Sequence, residues 1–277
     1  MDLRSTPGAA AQEDAGGAAN GTFVTWSIEA GVATIAFADP PRRNALSNAM
    51  LEELLDAFAA AKAAAARAVI LRSRIPGKVW SAGFDIAEIA AGTDPLQDGG
   101  LLDRLFRAVS ESPAPVIGLV DGSVWGGGAD LALRCDLLVG TPGCSFAFTP
   151  AKLGLPYVAD GLLNVLLRAG LGTALEMFAT GLPIDAERAL RLGLLNHLVP
   201  AAEAEACVLG LGQGIAANAP LAVAAAKAQL HQLAAAILAT IPRAQTAALR
   251  APALASEDFR EGLEAFRERR SPRFTGR

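Results

Sequence analysis

The sequence is short of the residue types that many catalytic and cofactor sites use. Its 277 residues include two histidines, three cysteines and one tyrosine, and aromatic residues make up 5% of the chain. Two histidines are too few for a histidine-rich metal site, so we expect no bound metal. Sparse aromatics and a net charge of −4 argue against nucleic-acid binding, which depends on stacking side chains and basic surfaces.

Disulfide and membrane signatures are also missing. The three cysteines, Cys135, Cys144 and Cys207, show no CxxC spacing, which favours reduced thiols and a cytoplasmic location. No uninterrupted apolar run reaches the ~18 residues of a transmembrane helix, so no membrane association is expected. The N-terminal stretch has no apolar centre behind a basic lead, so we expect a flexible tail over residues 1–21 and no signal peptide.

What the sequence does contain indicates a large core of alternating strands and helices. Hydrophobic residues make up 52% of the chain. From residue 22 to about 200, short apolar strands recur in the order strand, strand, helix, which predicts an α/β fold around a largely parallel sheet. Residues 201–277 show helical patterns only and form a separate C-terminal helical region.

Two glycine-containing turns are the candidate sites for chemistry. Gly126, Gly127 and Gly128 lie between a predicted strand and a helix, where free backbone N–H groups and the helix dipole suit an anion or a developing oxyanion. A tight turn needed only for packing is an equally good interpretation of these glycines alone. The turn SAGFDI at residues 81–86 offers a second backbone donor, and two donors would stabilise a thioester enolate.

Side-chain catalysis finds less support in the pattern. No GxSxG motif is present, and His197 and His231 are better explained as structural or surface residues. The cysteines lie in apolar contexts typical of a core. Asp130, in the first turn of the glycine-rich helix, is either a charge that complements the helix dipole or a pocket carboxylate.

Five motifs in consistent order resemble the enoyl-CoA hydratase/isomerase (crotonase) superfamily. They are RNALS at 43–47, SAGFDI at 81–86, GSVWGGGAD at 122–130, AERALRLGL at 186–194 and EGLEAFRERR at 261–270. The segments KVWSAG at 78–83, TPAKLGLPY at 149–157 and SEDF at 256–259 further resemble its methylmalonyl-CoA decarboxylase branch. The resemblance implies a spiral of ββα units over residues 22–200, a C-terminal trimerisation region, and a homotrimer or homohexamer.

The resemblance also implies an acyl-CoA thioester substrate, with coenzyme A as part of the substrate and no other cofactor. Carried over by position, the backbone N–H groups of Ala82 and Gly127 would hold the thioester oxygen, Tyr157 would place a hydroxyl beside the acyl group, and Asp130 would be a catalytic carboxylate. The remaining positions that would contact the acyl group or CoA are Arg43, Ala45, Leu46, Gly83, Phe84, Asp85, Ile86, Gly126, Thr149, Phe266 and Arg269.

Departures from the family pattern bear on the reaction. Hydratases use two carboxylates as general acid and base; here Asp130 stands at the first position, and the second falls near Ala151 and Lys152, where there is no carboxylate. Decarboxylation needs only enolate stabilisation and an apolar wall. We therefore expect a lyase acting on a methylmalonyl- or malonyl-type thioester. The alternatives are a hydratase or isomerase with Asp130 as base, and a non-catalytic acyl-CoA binder.

One further departure concerns the pocket itself. Phe84 stands where the decarboxylase branch carries a histidine. This replacement removes a polar contact from the pocket. The resemblance therefore does not specify which acyl group the pocket accepts.

Overall fold

A computed structural model of the chain describes residues 18–75, 77–89 and 94–277, so most of the predicted tail lies outside the described residues. The strands are β1 (Ala18–Asn20), β2 (Val24–Glu29), β3 (Val32–Phe37), β4 (Ala45–Leu46), β5 (Ala68–Ser73), β6 (Val79–Ser81), β7 (Gly83–Phe84), β8 (Val116–Val120), β9 (Ser123–Trp125), β10 (Leu137–Gly140), β11 (Ser145–Ala147), β12 (Ile184–Asp185) and β13 (His197–Leu198). The helices are α1 (Asn48–Ala63), α2 (Leu101–Ser110), α3 (Gly127–Arg134), α4 (Ala159–Thr180), α5 (Ala186–Leu192), α6 (Ala201–Ala216), α7 (Pro220–Ala239), α8 (Arg243–Leu254) and α9 (Glu257–Glu268).

The central sheet has the strand order β1-β2-β3-β5-β8-β10-β13. The β2–β3 hairpin is antiparallel, and the strands from β3 to β13 pair in parallel, as the sequence predicts. All five residues of β8 are buried, because helices or other strands cover both faces of a parallel sheet. β1 pairs with residues 25–27, so residues 18–20 of the predicted tail, ahead of the predicted start at Thr22, belong to the sheet.

Successive strands alternate between two sheets, and this alternation builds the repeating units. β5, β8 and β10 lie in the central sheet, whereas the strands that follow them, β6, β9 and β11, lie in a second sheet with the order β12-β11-β9-β6. α2, α3 and α4 then return the chain to the start of the next unit or region. The result is the predicted series of ββα units, with the loops after β6 and β9 next to each other because these two strands pair in parallel.

The residues after Ser47 predict a helix capped by Ser47 that continues to about Arg67, and α1 begins there but ends earlier. The Ser47 side chain caps it by accepting a hydrogen bond from the Met50 N–H at 3.3 Å. The helix ends at Ala63 instead of near Arg67, and Ala65 takes a positive φ of 52° as the chain turns into β5.

The helical region after residue 200 contacts the core through few buried side chains. In α6, Ala204 and Val208 pack on the back of the central sheet. The one buried residue of α7 is Lys227, whose Nζ lies 2.7 Å from an oxygen of Asp136 and donates to the Val109 and Ala114 carbonyls. α9 packs against the 3₁₀-helix Pro150–Leu153, and Gly262 is required there because a Cβ would overlap the Leu153 carbonyl.

Within the described ranges, two helices, α4 and α7, are long and apolar enough to cross a membrane. Length and composition alone are weak evidence for a membrane span. Both use charged side chains to contact the rest of the protein. Lys227 of α7 pairs with Asp136, and Asp160 of α4 lies 2.6 Å from Arg134. Several of their leucines are exposed, and Leu221 is 84% exposed.

Candidate active site

A cavity of about 60 Å³ lies where the loops after β6 and β9 meet. Eight of the predicted site residues line it: Ala82, Gly83, Phe84 and Ile86 from the first loop, Gly126 and Gly127 from the second, and Thr149 and Tyr157. The remaining lining residues are apolar: Ile89, Pro95, Leu96, Leu102, Pro150, Leu153 and Leu155. The described lining residues therefore include two hydroxyl groups and no acidic or basic side chain.

The glycine run supplies one backbone donor to this cavity. α3 starts at Gly127, and its first intrahelical bond runs from the Asp130 N–H to the Gly126 carbonyl at 3.0 Å. The Gly127 N–H precedes that bond and so has no acceptor within the helix. Gly126 has a φ of 48° and ψ of −118°, a backbone conformation that only glycine adopts without strain. The glycines thus direct a helix N-terminus at the cavity.

The second donor comes from Phe84. The next amide along the chain, Asp85, donates to the Leu46 carbonyl at 3.2 Å, so the Phe84 N–H faces the opposite side of the strand. That side faces Gly127: a Cβ built on Gly127 would stand 3.4 Å from the Phe84 nitrogen. The approach is possible because Gly83 has no side chain, since a Cβ there would stand 2.6 Å from the Trp125 carbonyl oxygen.

This geometry corrects the prediction that Ala82 supplies the second donor. The Ala82 N–H donates to the Arg43 carbonyl at 3.0 Å and is therefore engaged within the fold. Between Ala82 and Phe84, Gly83 has a φ of 94°, which breaks the regular alternation of a strand. The amide of Ala82 consequently turns toward Arg43, and the amide that approaches Gly127 belongs to Phe84.

Tyr157 and Asp130 form a buried pair at the back of the cavity. The Tyr157 hydroxyl donates to Asp130 Oδ2 at 2.9 Å, and Asp130 Oδ1 lies 3.1 Å from Arg134 Nε. Asn164 adds a longer contact to the same oxygen at 3.4 Å. Burial alone would lower the pKa of Arg134, but the charges of Asp130 and Asp160 raise it above its usual range, so Arg134 stays charged.

Asp130 therefore lies behind the cavity instead of at its surface. Its side chain is fully buried, both of its oxygens accept hydrogen bonds, and it does not line the cavity. Tyr157 stands between Asp130 and the cavity. Because the hydroxyl proton is donated to Asp130, the Tyr157 oxygen presents lone pairs to a ligand.

Tyr157 should remain protonated at high pH in the folded protein. Burial, assisted by the charge of Asp130, raises its pKa well above the usual tyrosine value. Because the unfolded chain releases this proton near pH 10 and the folded chain retains it, folding stability should fall as the pH rises above about 10.

Absorbance at 295 nm can follow this titration, since Tyr157 is the single tyrosine of the chain. We expect tyrosinate to appear together with unfolding, measured by circular dichroism. Ionisation at an ordinary pH in a chain that is still folded would contradict the buried Tyr157–Asp130 contact. Tyr157→Phe is the matched blank.

The other predicted binding residues fall into three groups: buried, partly buried and exposed. Ala45 and Leu46 are buried in β4, where they hold β7 in place instead of lining the cavity. Asp85 accepts the Ala87 N–H at 3.0 Å and lies 3.8 Å from Arg42. The exposed residues are Arg43, Phe266 and Arg269, and their predicted CoA contacts stay predictions.

The structure also shows where the two residues lie that stand at the position of the second family carboxylate. Ala151 and Lys152 lie on the 3₁₀-helix Pro150–Leu153, and Lys152 Nζ donates to the Gly181 carbonyl at 2.8 Å. This contact holds the amine away from the cavity lining. Neither residue offers an acid or base to a ligand there.

Sequence reasoning missed most of the apolar wall. Ile89, Pro95, Leu96 and Leu102 lie outside the family motifs, and Leu155 lies within TPAKLGLPY but is not one of the predicted site residues. His231, predicted to be a structural or surface residue, lies 3.0 Å from Asp136 and is not among the residues that line the cavity. The three cysteines are free, with Cys135 and Cys144 buried as expected.

Comparison with known proteins shows the class to which this fold and site belong. Residues 27–277 match the enoyl-CoA hydratase/isomerase family, and the chain belongs to that family. The chain is 36% identical over 247 residues to methylmalonyl-CoA decarboxylase of Escherichia coli, covering 88% of this chain and 95% of that protein. It is also 36% identical over 257 residues to a putative enoyl-CoA hydratase of Thermus thermophilus, covering 88% and 97%.

Solved structures give the same fold. Methylmalonyl-CoA decarboxylase in complex with 2-nitronate-propionyl-CoA superposes with a TM-score of 0.89 at 35% identity, covering 92% of this chain and 99% of that one. The crotonase-like ββα fold with C-terminal helices, predicted from the motifs, is therefore confirmed. The relatives include both decarboxylases and hydratases, so the family establishes an acyl-CoA enzyme of this superfamily.

Proposed function

We propose that the protein decarboxylates a short malonyl-type CoA thioester, with methylmalonyl-CoA as the leading candidate. The observation that carries the proposal is a small apolar cavity at which two backbone amides, Phe84 and Gly127, converge and whose described lining has no acid or base. The similarity to methylmalonyl-CoA decarboxylase supports the same reaction.

In this proposal the thioester oxygen binds between the two amides. The bond between the α-carbon and the carboxylate breaks, CO₂ leaves, and the electron pair passes into the thioester to give an enolate whose oxygen carries the negative charge. Preorganised N–H donors stabilise that charge most strongly where water is excluded. The α-carbon then takes up one proton from solvent. The reaction needs no cofactor beyond the CoA of the substrate.

The surroundings of the substrate carboxylate also favour its loss. Apolar side chains and the lone pairs of Tyr157 compensate the charge of the carboxylate poorly, whereas neutral CO₂ needs no such compensation. Tyr157 orients the carboxylate by contact, and Thr149 lies on the same wall. Phe84 extends the apolar surface where a histidine would have added a polar group.

Hydration is the weaker candidate on this geometry. It requires a base within hydrogen-bond reach of the attacking water. Asp130 contacts the lining residue Tyr157, but Tyr157 and Arg134 occupy its two oxygens. The second family carboxylate is replaced at Ala151 and Lys152.

A panel of CoA esters tests the proposal. Purified protein is incubated separately with malonyl-CoA, methylmalonyl-CoA and crotonyl-CoA, and the products are followed by mass spectrometry. We expect loss of CO₂ from methylmalonyl-CoA to give propionyl-CoA, and no addition of water to crotonyl-CoA. Absence of turnover on every malonyl-type ester would refute the decarboxylase, and hydration of crotonyl-CoA would establish the alternative. Stabilisation by the esters without consumption would indicate a binder.

We further propose that the enzyme is cytoplasmic and assembles as a homotrimer or homohexamer. α4 and α7 expose leucines that a monomer would leave in water, including Leu171, Leu175, Leu230 and Leu233, each at least 60% exposed. Exposed apolar patches of this kind commonly mark protein interfaces. Light scattering on the eluting protein should give the mass of three or six chains. A monomeric mass would overturn this assignment.

A further inference from the structure

Arg250 is a charged residue through which α8 contacts the interior, in addition to the packing of Leu254 on the core. α8 has no fully buried residue, and its arginines Arg243 and Arg250 stand two turns apart on one face. The Arg243 side chain is 83% exposed where it meets Asp98, whereas the Arg250 side chain is 16% exposed. An arginine withdrawn from solvent on an otherwise exposed helix indicates a specific contact.

That contact joins two separate parts of the cavity wall. Arg250 Nη2 lies 2.8 Å from Asp94 Oδ2, and its Nη2 and Nε donate to the Pro156 carbonyl at 3.2 and 3.3 Å. Asp94 is followed by Pro95 and Leu96, which line the cavity, and its Oδ1 accepts the Leu96 N–H at 3.0 Å. Pro156 directly precedes Tyr157.

The guanidinium group suits this double contact. It is planar, permanently charged and presents several donors in a fixed arrangement, so one group can bind a carboxylate and a carbonyl together. The Asp94 side chain is 18% exposed, so both charges are largely withdrawn from water. A lysine at this position would keep the charge but offer one nitrogen in place of three.

We infer that Arg250 is a positioning residue for the acyl pocket. Through Asp94 and Pro156 it sets the separation between the wall formed by Pro95 and Leu96 and the wall that carries Tyr157. The C-terminal helical region thereby determines how closely the cavity surrounds the acyl group. The kinetic part of this inference rests on the proposed decarboxylation, whereas the structural part does not.

The test compares Arg250→Ala and Arg250→Lys with Arg243→Ala, in the full-length chain. Because Tyr157 is the single tyrosine, protein labelled with ¹³C-tyrosine gives one tyrosine spin system, from the cavity wall. Arg250→Ala should shift or split that resonance and lower kcat on methylmalonyl-CoA by about 10- to 100-fold, because small displacements of a reacting group cost this much. Binding of CoA itself, measured by calorimetry, should be unchanged.

The two other variants separate positioning from general loss of structure. Arg250→Lys should recover part of the activity and a resonance nearer the wild-type one. Arg243→Ala removes an exposed ion pair of the same helix, and such pairs contribute little. It should leave the Tyr157 resonance unshifted and kcat within about twofold of wild type. If Arg250→Ala does not fold, Arg250→Lys decides by the same two readouts.

Two results would overturn the inference: a folded Arg250→Ala protein with wild-type resonance and kcat, or an equal effect of Arg243→Ala. If the wild-type protein decarboxylates no malonyl-type ester, the proposed function fails, and the Tyr157 resonance still decides the role of Arg250.

Discussion

Gly127→Ala is expected to lower kcat for methylmalonyl-CoA decarboxylation by about 10²- to 10³-fold, as much as the loss of one oxyanion donor, because the added methyl group obstructs the oxyanion site. The new methyl group would stand 3.4 Å from the Phe84 nitrogen and 3.5 Å from Leu102 Cδ2, which are ordinary contact distances. The fold can therefore accept it. The methyl group would occupy space between the two amides, where the thioester oxygen must approach both nitrogens.

Stability and a matched glycine variant provide the controls for this prediction. Gly172 lies in α4, where an added Cβ would meet nothing within 4 Å. Gly172→Ala should therefore leave kcat unchanged. Thermal unfolding should show that both variants are folded. Assays quenched at set times and analysed by mass spectrometry should give kcat. A Gly127→Ala enzyme with wild-type kcat would show that the oxyanion forms elsewhere.

Asp130→Ala is expected to cost about 3–5 kcal/mol in the free energy of unfolding, since it leaves the buried Arg134 without its buried partner. Arg134 is 9% exposed and would keep only Asp160, whose side chain is half exposed. The variant also removes the acceptor that fixes the Tyr157 hydroxyl proton. Urea denaturation measures the first effect, and kcat on methylmalonyl-CoA measures the second.

Tyr157→Phe separates the two roles of Asp130, which are to pair with the buried Arg134 and to orient the Tyr157 hydroxyl. It retains the Asp130–Arg134 ion pair and leaves one carboxylate oxygen without its donor, which costs about 1–3 kcal/mol. We therefore expect a smaller loss of stability than in Asp130→Ala, together with a reduced kcat. Asp130→Ala could instead be as stable as wild type and lack only hydration of crotonyl-CoA. Asp130 would then be a catalytic base, and its role as the acceptor that orients the Tyr157 hydroxyl would be wrong.

Much of the architecture follows from local sequence patterns. The apolar run VIGLV predicts the buried strand β8, and Ser47 predicts the start of α1, because strand burial and helix capping depend on nearby residues. The run of three glycines likewise predicts a helix N-terminus with a free amide, and Gly127 holds that position. The family motifs extend these local predictions to the order of the ββα units.

The choice of the second amide depends on tertiary structure. SAGFDI contains several backbone N–H groups, and no property of the hexapeptide distinguishes Ala82 from Phe84. The distinction arises because the Arg43 carbonyl engages Ala82 and the close approach of Trp125 requires the unusual backbone of Gly83. Both neighbours come from other parts of the chain.

The sequence by itself determined the fold class, the glycine-rich helix start and the scarcity of acid–base side chains. Tertiary structure alone decided which groups face one another: Tyr157 meets Asp130 across 27 residues, and Arg250 meets Asp94 across 156. Secondary structure depends on residues that are near in the chain, so local sequence patterns predict it. The orientation of a hydroxyl proton or of a cavity wall depends on partners that only the packed chain brings together.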